Sequence, residues 1–487
     1  MKRLDNILEG IELLDYKGRL DKPVQSVGFD SRSVDQQGVF IAIQGLNVDG
    51  HEYIDQAVAR GASTIVCQQM PDRVNENVTY LVVADSAQAL GQMASNFYDN
   101  PSHQLKLIGI TGTNGKTTSA TLLYHLFLQK GFKTGLISTI ANYINGQRLE
   151  TKYTTPDAIQ IHKLLGEMVN QHCEYAFMEV SSHALKQGRI YGLKYDGSLF
   201  TNITHEHLDY HKTFDDYLYA KKLLFDHHLH NHSFALINAD DKNSRFMVQN
   251  TPASVYSFGL KSFADFKGKV LEKHIDGTLL NIDGRDVCTQ FVGTFNAYNL
   301  LGVYAIAKLA GYGDDNLLTN ISKLQPVEGR FETIHSKDET KTAIVDYAHS
   351  PDALENVLLT IRGVQRKDQK VITVVGAGGD RDKQKRPQMT QIALKYSNKV
   401  VLTSDNPRME DPEQILEDMK QGVQKNQESK MVSIVNRKEA IRTAWLLADQ
   451  GDILLVAGKG HETYQEIQGV RYHFDDREII KELMNNH

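Results

Sequence analysis

Between the segment Leu105-Lys106-Leu107-Ile108-Gly109-Ile110 and the later run Leu122, Leu123, Leu126, Phe127 lies Thr111-Gly112-Thr113-Asn114-Gly115-Lys116-Thr117-Thr118. The first segment is short, apolar and β-branched, which predicts a buried strand. The second repeats its apolar residues at helical spacing through Lys130, with Gly131 as a stop signal. Strand, glycine-rich turn and helix in that order provide the context of a phosphate-binding loop. The glycines let backbone N–H groups curl around phosphate oxygens, and the helix N-terminus adds partial positive charge. Lys116 is then placed to neutralise the β- and γ-phosphates, and Thr117 or Thr118 to offer a hydroxyl to Mg2+. The loop departs from the pattern G-x-x-x-x-G-K-[ST]: Ile110 stands where the first glycine belongs, and the glycines present are Gly109 and Gly112. Its context still reads as a nucleotide site.

A chain of 487 residues calls for about three domains around that loop. Its 41% hydrophobic and 23% charged residues are those of a soluble globular protein. The net charge of −6 gives no support to a nucleic-acid binder, which usually carries a basic domain or stripe. Cys67, Cys173 and Cys288 are far apart, so no dense disulfide framework is expected and a reducing compartment fits. Met1-Lys2-Arg3-Leu4-Asp5 lacks an apolar signal core, and no stretch approaches the ~18 apolar residues of a membrane span. These features predict a cytoplasmic protein without membrane insertion.

Residues 1 to about 100 alternate strand-like runs (Ser63-Thr64-Ile65-Val66-Cys67) with helical ones (Ala87 to Ala94). Ser31, just before the apolar Gly38–Ala42 run, reads as a turn or capping residue or as a ligand contact. Asn100-Pro101-Ser102 reads as a linker. Tyr153-Thr154-Thr155-Pro156-Asp157 then breaks the chain and opens a helix near Ala158. Tyr175-Ala176-Phe177-Met178-Glu179-Val180 is a core strand delivering Glu179 at its end, where a carboxylate can hold Mg2+ or simply face solvent. His205, His207 and His211 invite a zinc reading, but the spacing is not H-E-x-x-H and a phosphate loop favours Mg2+. His227, His228, His230 and His232 read as solvated. So do Lys221 and Lys222 on the amphipathic helix Asp215–Phe225. Phe234-Ala235-Leu236-Ile237 is another strand with an acidic exit, and Gly293-Thr294-Phe295-Asn296-Ala297-Tyr298-Asn299 opens a helix. Pro326–Glu332 reads as a domain junction.

In the last third, Ala343–Asp346, Val371–Val375, Lys399–Thr403 and Ile453–Ala457 are apolar strand candidates separated by helical stretches. Each runs into a polar loop: Tyr347-Ala348-His349-Ser350, Gly378-Gly379-Asp380-Arg381-Asp382, Asp405-Asn406-Pro407-Arg408 and Gly458-Lys459-Gly460-His461-Glu462. Alternating β and α elements predict a parallel, doubly wound sheet whose ligand sits beyond the carboxyl ends of its strands. A second ligand-binding domain facing the first is expected.

Taken together, Gly112–Thr118, Glu179-Val180-Ser181-Ser182-His183, His207-Leu208-Asp209-Tyr210-His211, Gly329-Arg330-Phe331-Glu332, Asp346-Tyr347-Ala348-His349 and Asp405-Asn406-Pro407-Arg408 resemble the Mur ligases. Within that family they are similar to the members that add the third residue of the peptidoglycan stem peptide. The resemblance implies an α/β fold of three domains: 1–100 for the UDP-linked substrate, 101–330 with a central P-loop ATPase domain, and 331–487 with a C-terminal Rossmann-like parallel sheet. It also explains the irregular phosphate loop, since the family uses the shorter G-T-N-G-K-T-T form. The implied reaction consumes ATP. The D-glutamate side-chain carboxylate of UDP-N-acetylmuramoyl-L-alanyl-D-glutamate is phosphorylated, an amino acid's amine attacks the acyl phosphate, and phosphate leaves.

By the same resemblance Lys116, Glu179, His207 and Lys221 are catalytic, and Thr117, Glu179, His207 and Lys221, the last as a carbamate, hold Mg2+. Gly112, Thr113, Asn114, Gly115, Lys116, Thr117, Thr118, Asn296, Asn299, Arg330 and Asp346 bind ATP. Ser31, Thr154, Thr155, Ser181, Gln187 and Arg189 take the UDP-linked substrate. Arg381, Asp405, Asn406, Arg408, Gly458 and Glu462 take the incoming amino acid. Arg408 points to meso-diaminopimelate rather than L-lysine, because a guanidinium can grip a distal carboxylate through two parallel hydrogen bonds and repels a distal amine. The competing reading pairs Arg408 with Glu410 or Asp411. Glu206 departs from the aspartate of many relatives. A folylpolyglutamate-synthetase-like ligase and a regulatory P-loop ATPase are the rival readings; a monomer is expected.

Overall fold

The computed structural model describes residues 2–45, 48–151, 153–206, 208–313, 316–336 and 341–485. Three large sheets organise them, of 5, 11 and 6 strands in chain order. In the N-terminal sheet Val27–Gly28, Val39–Ile41, Thr64–Cys67 and Thr79–Val82 run parallel, with Asp15–Lys17 antiparallel at the edge. Helix Ser86–Phe97 covers one face, capped by Asp85, whose carboxylate accepts from the N–H groups of Ala87 and Gln88.

The central sheet has the strand Lys106–Thr111 between Tyr175–Glu179 and Gly197–Phe200, all parallel. Side-chain alternation distributes this strand between two cores: Ile108 and Ile110 pack with helix Lys116–Lys130, and Leu107 packs on the opposite side. Tyr175 and Phe177 likewise join the first core, Ala176 and Met178 the second. Helix Thr294–Ala310 shares the first face and helices Ala158–Asn170 and Phe214–His227 the second. Beyond Phe234–Asn238 and Ser254–Gly259 the sheet continues through Phe266–His274 into the antiparallel strands Gly277–Ile282 and Arg285–Thr289. That antiparallel wing has no counterpart in the sequence reading.

The C-terminal sheet orders its strands as Glu332–His335, Thr342–Asp346, Ile453–Ala457, Val371–Ala377, Lys399–Ser404 and Met431–Ser433, parallel except for the first. Helices Pro351–Val364, Lys385–Tyr396 and Pro412–Lys420 lie on one face and Arg437–Leu447 and Asp476–Asn485 on the other. The four strands expected from the sequence are therefore neighbours, and their carboxyl ends share one edge.

Several surface readings are overturned, at Lys222 and His228 among others. Lys222 is 3% exposed and pairs with Asp226 one turn on at 2.5 Å; on an amphipathic helix packed on both flanks, lysines near the core stripe are buried if an acid compensates them. His228 is half-buried, not solvated, and desolvation pushes its imidazole down to about 4. Among the described residues no helix is long and apolar enough to cross a membrane, and Cys67, Cys173 and Cys288 are free thiols.

Candidate active site between the phosphate loop and the C-terminal strand ends

Helix Lys116–Lys130 starts at Gly115 with no side chain capping its N-terminus, so its first N–H groups remain available to an anion. The loop demands its glycines. Gly112 (φ 149°) and Gly115 (φ 86°) both lie in left-handed backbone, and a Cβ would run into Thr201 at the first and Asn299 at the second. Lys116 folds back over the loop, donating to Gly112 O at 3.0 Å and Thr113 O at 2.8 Å. Desolvation draws its ammonium below the ordinary lysine range, opposed by the negative charges of Glu179 and Glu206.

Glu179 ends its strand fully buried, not facing solvent. It accepts from Thr117 Oγ1 at 3.0 Å, Thr139 N at 2.8 Å and Thr139 Oγ1 at 3.1 Å. Burial raises its carboxyl above the usual range, against the pull of the Thr139 N–H and of Lys116 and Arg330. Of the two loop threonines, it is Thr117 that faces this acid. Arg330 reaches the same hydroxyl, Nη2 to Thr117 Oγ1 at 3.1 Å, while its guanidinium lies 4.4 Å from the centre of the Tyr347 ring. Lys221 is also inside, 1% exposed, donating to Gly112 O at 2.7 Å. Desolvation, assisted by Lys116, holds its amine well below the ordinary range. The solvated reading of Lys221 is thereby overturned.

A cavity of about 930 Å3 runs from this loop to the C-terminal domain, and all four predicted strand-end loops line it, through Tyr347, Arg381, Asn406 and Glu462 among others. Thr154, Thr155, Ser181 and Arg189 line its central-domain side. Arg189 donates to Thr155 O at 2.9 Å and also to the Gln187 side chain, and Gln187 itself sits one layer back, donating to Tyr210 OH at 3.2 Å. Asn299 faces the cavity, and Asn296 stands behind it as acceptor for its amide at 3.1 Å. Asp346 is buried, accepts from Phe331 N at 2.6 Å, and has its carboxyl raised by desolvation against the charge of Arg330. Ser31 lies outside this cavity in the N-terminal domain, donating to Gln56 Oε1 at 2.8 Å. His207 lies outside the described residues. His211 donates to or accepts from Ser182 Oγ at 2.9 Å, and burial pushes its imidazole down to about 4.

On the C-terminal side Arg408 does not pair with Glu410 or Asp411. Glu410 is bonded to Arg386 at 3.0 Å, and Asp411 caps helix Pro412–Lys420. Arg408 donates from Nη1 to Gly379 O at 2.6 Å and is among the residues that line the cavity. Its backbone is left-handed, φ 52°, and is clamped by the hairpin Tyr464–Ile467/Val470–His473: Arg408 N donates to Glu466 O at 3.0 Å and Gln468 N to Arg408 O at 2.7 Å.

One residue in contact with the phosphate loop escaped the sequence reading. Asp352, in the first turn of helix Pro351–Val364, reaches across to the central domain and accepts from Asn114 Nδ2 and Thr204 Oγ1, both at 3.0 Å. It ties the C-terminal domain directly to the phosphate loop. Its only sequence signal was the polar loop immediately before it.

A phosphate loop on one mostly parallel sheet, roofed by the strand-end loops of a second, is the arrangement of a nucleotide-using enzyme. Family models agree in order along the chain: "Mur ligase family, catalytic domain" matches residues 23–98, "Mur ligase middle domain" 110–307, and "Mur ligase, glutamate ligase domain" 329–460. The UDP-N-acetylmuramoyl-L-alanyl-D-glutamate–2,6-diaminopimelate ligase of Phocaeicola vulgatus is 51% identical over 484 residues, spanning 99% of this chain and 100% of its own. The ligase of that name from Cytophaga hutchinsonii is 52% identical, covering 99% of each. A solved structure of such a ligase superposes with a TM-score of 0.71 at 33% identity, covering 100% of this chain and 99% of its own. The chain belongs to the Mur ligase family.

Proposed function

We propose that this chain joins meso-diaminopimelate to UDP-N-acetylmuramoyl-L-alanyl-D-glutamate with consumption of ATP, in the cytoplasm where ATP is supplied. The observation that carries the acceptor is Arg408, which lines the cavity without an acidic partner among the described residues. The names of relatives at about half identity over the whole chain support the same reading.

The chemistry divides between the two walls of the cavity. The loop N–H groups from Gly112 to Thr118 and Lys116 bind the phosphates, with Asn296 and Asn299 at the base and Arg330 and Asp346 at ribose or phosphate. A carboxylate is a poor electrophile, so an oxygen of the D-glutamate side chain attacks the γ-phosphorus and ADP departs. The amine of the acceptor then attacks the carbonyl carbon, loses a proton, and phosphate leaves with the C–O electrons. Ser31, Thr154, Thr155, Ser181, Gln187 and Arg189 orient the UDP-linked partner, and Arg381, Asp405, Asn406, Arg408, Gly458 and Glu462 the amino acid, so that amine and acyl carbon meet without a diffusional search.

The Thr117 hydroxyl and the buried Glu179 carboxylate are hard oxygen donors at the phosphate end, the ligand type Mg2+ takes. With His207, and with Lys221 as its carbamate, they would hold the ion, which when bound neutralises charge on the transferring phosphoryl group. A buried lysine held neutral is the form that adds CO2, its nitrogen bonding carbon as a proton leaves. The test is phosphate release by purified protein with ATP, Mg2+ and the UDP-linked dipeptide, comparing meso-diaminopimelate with L-lysine. Turnover with the former alone is expected; preference for lysine overturns the role of Arg408, and equal ATP turnover without either acceptor overturns the ligase reading.

A further inference from the structure

Lys459 does not line the cavity and has no exposed surface, yet it stands directly behind two residues that do. Its ammonium donates to Asn406 Oδ1 at 3.1 Å and Glu462 Oε2 at 3.0 Å, and lies 3.7 Å from Asp405 Oδ1. Burying an ammonium is costly unless carboxylates and hydrogen bonds surround it, and here they do. Arg437, the next cation in this wall, is bonded to Asp476 at 2.7 Å and to Ala457 O at 3.0 Å. Lys459 is therefore the cation in hydrogen-bond contact with the Asn406–Glu462 pair.

The network fixes which way Asn406 faces. Its Oδ1 receives two donors, Lys459 Nζ and Glu466 N, the latter at 3.0 Å. A flipped amide would set its NH2 against an ammonium and an N–H, so only one orientation is compatible with both. In that orientation Asn406 Nδ2 donates to Glu462 Oε2 at 2.9 Å. Glu462 is thus held by two donors on one oxygen, and among the described residues Oε1 receives none. Its acceptor capacity is left for a cationic group in the cavity.

We propose that Lys459 is a positioning residue of the acceptor pocket: it locks the Asn406 amide and the Glu462 carboxylate into a preformed polar wall for an ammonium group of the incoming amino acid. The inference rests on the reading of this pocket as the acceptor site. Lys459 acts through its neighbours and not on the substrate, so its loss changes one Michaelis constant and spares the others.

The experiment measures KM for meso-diaminopimelate, ATP and the UDP-linked dipeptide in the wild type, Lys459→Met and Lys459→Gln, with thermal melting of each. Wild-type turnover with meso-diaminopimelate is the control; its absence sinks the acceptor reading itself. Given that turnover, Lys459→Met is expected to raise KM for the acceptor about tenfold or more, with the other two constants within about twofold. Lys459→Gln, which keeps a donor toward Asn406, is expected to recover part of the loss and serves if the Met variant does not fold. An unchanged acceptor KM in a folded variant, or an equal rise in all three constants, overturns the proposal.

Discussion

Replacing Arg408 with asparagine tests the acceptor assignment with little disturbance of the fold, because asparagine tolerates the left-handed backbone found there (φ 52°). A guanidinium carries five N–H donors, and among the described residues one bond, to Gly379 O, is made. Enough remain for two parallel bonds to the distal carboxylate of meso-diaminopimelate. Removing one partner of a desolvated charged pair costs about 2–5 kcal/mol, since the other charge stays buried and unpaired. That corresponds to a fall of roughly 30- to 5,000-fold in kcat/KM for meso-diaminopimelate. For L-lysine, whose distal amine would meet Arg408 as a like charge, kcat/KM should rise. Steady-state phosphate release with both acceptors reads the two directions at once. A loss smaller than about fivefold, near 1 kcal/mol, with no gain for lysine, would mean that Arg408 does not hold that carboxylate.

Three further outcomes are expected. Glu179→Gln removes the buried charge that faces Thr117 and should lower kcat by about 100- to 1,000-fold while circular dichroism stays that of the wild type; near-normal turnover would remove Glu179 from the catalytic set. Asp352→Ala leaves the Asn114 amide and the Thr204 hydroxyl without this acceptor, at about 1–3 kcal/mol, and should weaken ATP binding in calorimetric titrations; unchanged affinity would make the domain contact incidental to nucleotide binding. His162 is fully buried and desolvation pushes it from 6.5 down to about 4, so the unfolded chain binds the extra proton between those values. Its stabilising effect is complete above pH 6.5 and is lost as pH falls, about 2 kcal/mol by pH 5. His162→Phe should therefore flatten the decline of Tm from pH 7 to pH 5, and a decline as steep as the wild type's would exclude His162 as its source.

The strand, loop and helix around Lys116 were legible because three local signals coincide: β-branched residues, glycines at positive φ, and leucines at helical spacing. The four C-terminal loops were legible for a related reason, since apolar parallel strands leave their polar residues at the ends. Lys222 was misread because an amphipathic pattern does not say how wide the buried stripe is; Asp226 one turn on decides it. Asp352 was invisible because an acid after proline at a helix start is what ordinary end-capping produces, and only the distance to Asn114 separates the two roles. The pairing alternative for Arg408, the less favoured one from sequence, could be removed only by the structure, because which acid Arg386 and the helix Pro412–Lys420 take is a matter of three-dimensional neighbours.

The clamp on Arg408 consists of main-chain bonds to Glu466 and Gln468, and such bonds are indifferent to the side chain they carry. The position therefore behaves as a socket. Its occupant can be exchanged without dismantling the loop, and the main restriction is the left-handed backbone. Acceptor preference in a protein built this way is separable from its stability, so a lineage could move between amino-acid acceptors by few substitutions and without an unfolded intermediate. The hairpin, which supplies the socket, would be the part that resists change.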